Sequence, residues 1–495
     1  MLRPCAFGVV IFLGAAACSE APSREDNASA GDVQVEWTYP TAPRQSDGTY
    51  DYVGLIDKRF RRGLTPAKNA MVPMIKALGP EVIPEQIREA YLKALGIDAL
   101  PVEGDYFEPF DGDFEQLDAT YEPWRREDAP AVAKWLDEQA APLALAVEAS
   151  EKPRFYSPIA TAEPPRRALG IRAPHLAHPL TVGRALVSRA MLRWGEGDQM
   201  TALADLDAAS ALGLRVCEGP SVVENLVGLA IWARADLGLR AAAMSGDAGR
   251  DELAAMLEAR LNRDVPRHPM RATAEFERLS VLDSVKAIAE GWEAPLLWHE
   301  PLRVPRQYRR VTDWAKVMAA VSGEFDRMIE VMSIENWPKR QRAAEGLEAR
   351  WQAREARVKR LWEKEAGRLK LTPNPAQNEK RVTEAVTELL LHKLFPTILR
   401  AEELHRRSLV DGDLTVLTIA LQQYHAEHGA YPDDLAILSP KYLKETPVDR
   451  FSDESLKYRV EGEGFALYSV GRDTEEDSDQ SAFLSDDIVV RHNAD

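Results

Sequence analysis

The chain has 495 residues, 45% of them hydrophobic, which is enough apolar material for packed cores in about two to four domains. It carries 62 basic and 79 acidic side chains, for a formal net charge of −17. That balance argues against nucleic-acid binding as the main role, because binding a phosphate backbone needs a concentrated positive surface.

The N-terminal residues have the layout of a secretory signal. Arg3 precedes an apolar stretch at residues 6–17, which is too short to span a bilayer as a helix and has the length of a signal-peptide core. The sequence LGAAAC, ending at Cys18, resembles a bacterial lipobox. The resemblance implies cleavage before Cys18 and acylation of its thiol and of the new amino terminus. Cleavage after an A-x-A pattern, leaving the cysteine unmodified, is the alternative.

This layout defines the expected compartment. We predict a signal peptide at residues 1–17 and a flexible tether at residues 18–48, whose serine-, alanine- and aspartate-rich composition does not form a core. The mature chain would be held in the bacterial cell envelope, at the outer membrane or its periplasmic face, through lipidated Cys18. Cys217 is then the only ordinary thiol, which excludes an intrachain disulfide and a zinc site built from thiolates. We expect it to be buried and apolar.

The middle of the chain has helical periodicity. Residues 49–400 alternate apolar stripes with proline and glycine boundaries, which predicts a large, mainly α-helical domain. Thr65 and Pro66 have the pattern of a helix start, and Gly79 followed by Pro80 that of its end.

The most regular segment is RALVSRAMLRWGEGDQMTALADLDAASALGL, residues 184–214. Two helices are joined at residues 195–198, GEGD, whose glycines make the turn and whose aspartate caps the second helix. Ala202, Leu206 and Ala209 share one face of that helix. The pair resembles a tetratricopeptide αα-hairpin. Only one unit is recognisable, so we predict a helical-repeat-like domain and not a regular superhelix.

Residues 102–124, VEGDYFEPFDGDFEQLDATYEPW, interleave aromatic and acidic side chains. Aromatic platforms and paired carboxylates are the elements with which glycosidases hold and cleave a sugar chain. A polysaccharide hydrolase that uses carboxylates between Asp105 and Glu122 is therefore one hypothesis. The ordinary burial of aromatic residues favours the other, a loop whose rings pack on the helices beneath it.

The sequence lacks several motifs that mark common enzyme classes. The sequence has no P-loop, no dinucleotide-binding glycine pattern, no G-x-S-x-G elbow and no H-E-x-x-H. Residues 338–370 predict a long, basic helix that could contact anionic lipid headgroups or nucleic acid. Interspersed glutamates favour a solvated face. Together these observations favour a non-enzymatic protein.

The C-terminal residues 401–495 predict a smaller α+β domain. Leu414, Leu417 and Leu421 share one helical face, and Gly429 followed by a proline ends that helix. Two short alternating runs, LKYRV and FALYSV, are separated by glycines and predict a β-hairpin. The whole chain is therefore expected to be α+β, with a large helical domain followed by a helix and a small antiparallel sheet.

An ordered series of C-terminal motifs resembles the C-terminal domain of the major pseudopilin of type II secretion. The motifs are YHAEHGAYP, LAILSPKYL, PVDRF, LKY and FALYSVGRD, followed by an acidic loop that closes on DI. The resemblance implies a link to a secretion system and calcium in that loop. The family's prepilin peptidase motif and long apolar assembly helix are missing, so we expect a pseudopilin-like module reused in another protein, without polymerisation.

The acidic loop, GRDTEEDSDQSAFLSDDI, is the candidate metal site. Calcium takes about six to eight oxygen ligands and tolerates irregular geometry, which suits a carboxylate-rich loop between strands. The resemblance assigns Asp473 and Asp487 as ligands by position, while Asp477, Asp479 and Asp486 are neighbours by proximity. An EF-hand is excluded, because glutamine occupies its glycine position and strands flank the loop. A solvated acidic hairpin tip is the alternative.

These observations predict a non-enzymatic envelope lipoprotein that acts as a protein-interaction or scaffold module, with a calcium-stabilised C-terminal domain. A calcium-stabilised extracytoplasmic hydrolase of polysaccharide is the competing hypothesis. The membrane, through Cys18, and a protein of the envelope are the expected partners, and nucleic acid is not. The sequence specifies neither that protein nor an oligomeric state.

Overall fold

The computed structural model describes residues 51–112, 119–159, 178–263, 270–291, 294–296, 299–302, 304–362, 371–394, 397–473 and 487–492. Most of these residues are helical, and a small three-stranded antiparallel sheet follows the last helix. The predicted α+β class is confirmed.

The helices lie as follows: α1 Tyr52–Phe60, α2 Met71–Leu78, α3 Glu85–Leu95, α4 Pro130–Glu138, α5 Ala140–Ser150, α6 His178–Gly195, α7 Gln199–Cys217, α8 Val222–Met244, α9 Arg250–Leu261, α10 Met270–Ala289, α11 Arg306–Arg309, α12 Trp314–Met332, α13 Trp337–Trp362, α14 Pro375–Leu394 and α15 Thr397–His428. The strands are β1 Ala294–Leu296, β2 His299–Leu302, β3 Lys457–Glu461, β4 Gly464–Ser469 and β5 Ile488–His492.

The C-terminal sheet has the strand order β3-β4-β5, all antiparallel. Lys457 pairs with Tyr468 and Ser469 with Ile488, so β4 is the central strand. All of β4 is buried, so both faces of this central strand are covered. The hairpin predicted from the glycines is confirmed, with Gly462 at φ +61° in the turn. The two-stranded ribbon of β1 and β2 was not predicted.

The predicted αα-hairpin is present as α6 and α7. Gly197 has φ +86° in the turn, and a Cβ at Gly195 would clash with the carbonyl oxygen of Trp124. Ala202, Leu206 and Ala209 are buried, as expected. The capping prediction needs one correction. Asp198 stands at the N-cap, but its carboxylate accepts a hydrogen bond from the Thr201 hydroxyl (2.7 Å) and none from a helix amide.

Helices α7 and α8 cross at two glycines. A Cβ at Gly213 would lie 2.7 Å from the backbone nitrogen of Trp232, and one at Gly228 would lie 2.5 Å from the carbonyl oxygen of Gly213. Such distances are far below van der Waals contact, so the helix backbones themselves touch. Cys217 is buried beside this crossing, and burial raises the pKa of its thiol. The expectation of a buried cysteine is confirmed.

Helix α15 is shared by the helical body and the sheet. It packs against α8 and α9 and also against β4 and β5. One hydrophobic cluster accordingly runs from Met71 in α2 to Phe465 and Leu467 in the sheet. A second cluster, with Leu282 and Phe325, is built mainly from α1, α10 and α12 to α14. The predicted boundary between residues 400 and 401 falls inside α15.

The first predicted helix start is wrong in detail. Pro66–Lys68 forms only a single 3-10 turn, Thr65 makes no capping hydrogen bond, and α2 begins at Met71. The cause is Asn69. Its side-chain amide donates to the carbonyl oxygen of Tyr156 (2.8 Å) and its oxygen accepts from the Tyr156 amide (3.0 Å). A partner 87 residues away thus takes precedence over the local helix signal.

Two carboxylates hold the N-terminus of α8. Ser221 and Glu224 form a capping box, in which the Ser221 amide donates to the Glu224 carboxylate (2.9 Å). From α10, the Glu277 carboxylate accepts from the Val222 amide (3.0 Å), and burial raises the pKa of Glu277 to about 7. Both carboxylates lie at the positive end of the α8 dipole. The Glu277 carboxylate also joins α8 to α10.

Candidate functional site

The acidic loop joins the ends of two neighbouring strands. Asp473 follows β4 and is exposed, whereas Asp487 directly precedes β5 and is buried. Ser469 at the end of β4 pairs with Ile488 at the start of β5, so the two ends of the loop lie at the same end of these strands. The other three predicted ligands, Asp477, Asp479 and Asp486, lie outside the described residues.

A buried aspartate that the sequence analysis did not single out organises the base of this loop. Asp449, in PVDRF, is 1% exposed. Its Oδ1 accepts from the Ser469 hydroxyl (2.9 Å) and the Phe451 amide (2.9 Å), and its Oδ2 accepts from the Val470 amide (3.0 Å). Charge-assisted bonds of this kind hold a buried carboxylate firmly. Asp449 therefore fixes the end of β4, and its oxygens are already occupied.

Two arginines tie the same region to α15. Arg450 donates from Nη2 to Asp413 Oδ1 (3.0 Å), and Arg472 donates from Nη1 to Glu403 Oε2 (2.9 Å). Burial raises the pKa of Asp413, and the Arg450 guanidinium opposes that effect. The residues before the loop are thus anchored on the helix that also packs against the helical body.

The described residues include only two of the predicted calcium ligands, Asp473 and Asp487. Among them, no group of three or more His, Cys, Asp or Glu side chains is placed to hold a metal ion. Asp473 and Asp487 could contribute carboxylate oxygens, the donor type that calcium prefers. The two aspartates stand at the two ends of the loop, so the remaining oxygens would have to come from residues 474–486.

The HAEH segment at the end of α15 has structural roles. His425 stacks on Tyr431 with ring centroids 4.5 Å apart, and His428 stacks on Tyr424 at 4.0 Å. Glu427 accepts a hydrogen bond from the Tyr442 hydroxyl (2.8 Å) and forms an ion pair with a neighbouring lysine. These contacts account for the three polar residues without a metal.

A buried polar seam lies between α8, α9 and α15. Arg240 donates from Nη1 to Asp411 Oδ1 (2.9 Å) and to the Thr415 hydroxyl (2.8 Å). Arg260 donates from Nε to Asp236 Oδ1 (3.1 Å), and burial raises the pKa of Asp236. The two aspartates interact electrostatically, so the arginines compensate a shared negative charge. This seam joins the helical body to the helix that carries the sheet.

Three aromatic residues of the loop before α4 turn into the core. Phe107, Tyr121 and Trp124 are buried, and Phe107 makes an edge contact with Trp135. The described carboxylates of that segment, Glu103, Asp105, Glu108, Asp111 and Glu122, are exposed. These three rings pack on the helices, as in the loop that aromatic burial favoured, whereas Tyr106 and Phe110 are partly exposed.

Comparison of the chain with protein-family models, with curated proteins and with solved structures finds no match. The pseudopilin-like and lipoprotein readings therefore stay predictions from sequence motifs. Cys18 and residues 1–17 lie outside the described part of the chain. None of the helices in the described ranges combines the length and the hydropathy of a transmembrane segment.

Proposed function

We propose that the protein is a lipid-anchored scaffold of the bacterial cell envelope, possessing no catalytic activity of its own and presenting a calcium-supported, pseudopilin-like module to an envelope partner. A link to a secretion system follows from the motif resemblance. The lipobox-like sequence ending at Cys18 supports the anchor, and the αα-hairpin supports a protein-interaction role.

Helix α15 is the observation that carries the scaffold role. Its 32 residues pack on α8 and α9 and also support β4 and β5. The polar seam at Arg240 and the Arg450–Asp413 pair reinforce that attachment. A module fixed in this way keeps one orientation on its base, and preorganisation lowers the entropic cost of binding a partner.

Calcium would add local order to the same module. Asp449 already holds the end of β4 in place, and Asp473 and Asp487 begin and end the loop. An ion that joins the two ends would restrain the residues between them. Extracellular calcium modules bind with dissociation constants of about 10⁻⁴–10⁻³ M, a range suited to the envelope.

Envelope fractionation and affinity capture test the proposal. We expect the full chain to sediment with membranes and to retain a specific envelope protein when calcium is present. Cys18→Ser should move the chain to the soluble fraction, whereas Cys217→Ser, at the buried thiol, should leave it on the membrane. Chelation or the double variant Asp473→Asn/Asp487→Asn should weaken the capture.

Two results would contradict this function. Finding the wild-type chain in the soluble fraction would show that it is not held by a lipid anchor. Turnover of an envelope polysaccharide at an enzyme-like rate would favour the hydrolase, and Asp105→Asn and Glu122→Gln would then identify its carboxylates.

Calcium binding is tested by its effect on the free energy of unfolding. At a calcium concentration about ten times the dissociation constant, we expect the free energy of unfolding to rise by about 1.4 kcal/mol, because the ion binds only the folded loop. Asp473→Asn/Asp487→Asn should abolish the increase, and Asp247→Asn, at an exposed position of the helical body, should retain it. Denaturation with calcium and with chelator measures both, and equal stabilities for wild-type chain would show that the loop binds no calcium.

A further inference from the structure

A cavity of about 310 Å³ opens on the surface of α13 and α14. Its lining consists of Arg350, Ala353, Arg354, Arg357 and Arg360 from α13 and Glu388 from α14. The arginines follow a spacing of four, three and three residues, which places them along one face of the helix. The small side chain of the alanine leaves room between them.

Two of these arginines are held by carboxylates. Arg354 donates from Nη2 to Glu324 Oε2 (3.2 Å), and the Glu324 side chain is only 1% exposed. Arg357 donates from Nη2 to Glu384 Oε1 (2.6 Å). Glu388 lies 3.7 Å from Arg354 and 3.6 Å from Arg357, beyond hydrogen-bond distance. The guanidinium groups are therefore oriented, but most of their N–H donors are not occupied by these carboxylates.

The other two arginines are exposed. Arg350 and Arg360 form no ion pair with any carboxylate among the described residues. Counting the bonded Glu324 and Glu384 with Glu388, four arginines stand against three carboxylates, so the site keeps a positive charge in a chain whose overall charge is −17. Local charge opposite to that of the whole molecule concentrates anions at this position.

We infer that this cavity binds a phosphate group. Planar guanidinium forks match the tetrahedral oxygens of phosphate and can bind two of them at once. The volume admits a phosphate together with part of the molecule that carries it. That molecule is a small soluble organic phosphate or a phospholipid headgroup. The inference is independent of the scaffold function and is an alternative to the solvated helix face that sequence composition favoured.

Pyrophosphate titration at low ionic strength tests the site, using full chain with Cys18→Ser so that no acyl group contributes. We expect saturable binding that Arg350→Gln/Arg360→Gln weakens by at least about tenfold, because it removes two charge-assisted contacts. The control Lys339→Gln/Arg342→Gln removes two exposed charges from the same helix outside the cavity. It should change the affinity less than about twofold.

Vesicle sedimentation identifies the source of the phosphate. Phosphatidylcholine vesicles with phosphatidylglycerol are compared with vesicles that lack it, for both double variants. If the chain binds pyrophosphate but no vesicles, the ligand is a small soluble phosphate. If vesicle binding depends on Arg350 and Arg360, the ligand is a phospholipid headgroup. The inference is overturned when neither probe binds, or when the two double variants weaken binding equally, since that would be a general charge effect.

Discussion

Replacing Arg240 with methionine is expected to destabilise the protein by about 3 to 5 kcal/mol, because it leaves a buried carboxylate without its main compensating charge. Arg240 is 8% exposed and Asp411 4% exposed. The variant would keep Asp411 in the interior next to Asp236, with Arg260 as the remaining cation of the seam. Methionine preserves most of the packing volume, so the loss reports on the charge.

Urea denaturation measures this effect. Arg126→Met is the matched control, since Arg126 and Asp137 form a pair at 2.6 Å with both side chains at least half exposed. Arg126→Met should change the free energy of unfolding by less than about 1 kcal/mol. Arg240→Met/Asp411→Leu should recover part of the stability, because removing both partners leaves no buried charge. A loss below about 1 kcal/mol for Arg240→Met would mean that water reaches the seam.

This result bears on the proposed scaffold. Arg240 lies on α8, and its partners Asp411 and Thr415 lie on α15, which carries the sheet. A large loss at Arg240 would show that the helical body and the C-terminal module unfold as one cooperative unit. Two separate transitions in the wild-type chain would instead indicate a module that moves on its base.

Gly228→Ala is expected to destabilise the protein by about 1 to 3 kcal/mol, although alanine is ordinarily the better helix former. The added methyl would lie 2.5 Å from the carbonyl oxygen of Gly213 and 2.6 Å from the sulfur of Cys217. Backbone cannot rotate away as a side chain can, so α7 and α8 would have to separate. That separation would open the core on both sides of the crossing.

Glycines in open positions provide the control. Gly323 in α12 and Gly346 in α13 have no atom within 4 Å of an added Cβ. Alanine at either position should therefore stabilise the protein by up to about 1 kcal/mol. Thermal or urea unfolding of the three variants measures the contrast. Stabilisation by Gly228→Ala would mean that the two helices do not approach as closely as described.

Local patterns predicted the elements well where the responsible interactions are themselves local. The turn between α6 and α7, the buried face of α7 and the β3–β4 hairpin follow from glycines and side-chain periodicity within a few residues. The start of α2 was missed because Asn69 is bonded to Tyr156, whose position no local pattern reveals. The β1–β2 ribbon was missed because its strands are only three and four residues long.

The residues of the candidate sites likewise divide into those that the sequence indicates and those that only the fold brings together. The motif resemblance identified Asp473 and Asp487 as candidate ligands, and proximity along the chain added Asp477, Asp479 and Asp486. Asp449 was missed because its role depends on Ser469 and Val470, which the fold brings to it from about twenty residues away. The arginine spacing on α13 was visible in the sequence, but a cavity exists only after α14 has packed beside it.

Periodicity and turn residues act over a few positions, so the α+β class, the helical hairpin and the C-terminal β-hairpin can be predicted from the amino-acid order. Three further features arise from packing alone: Gly213 meets Gly228, Arg240 lies against Asp411, and one helix contacts both body and sheet. Those features depend on which helix faces meet. That choice is made by summed burial and charge compensation across segments that are distant in the chain.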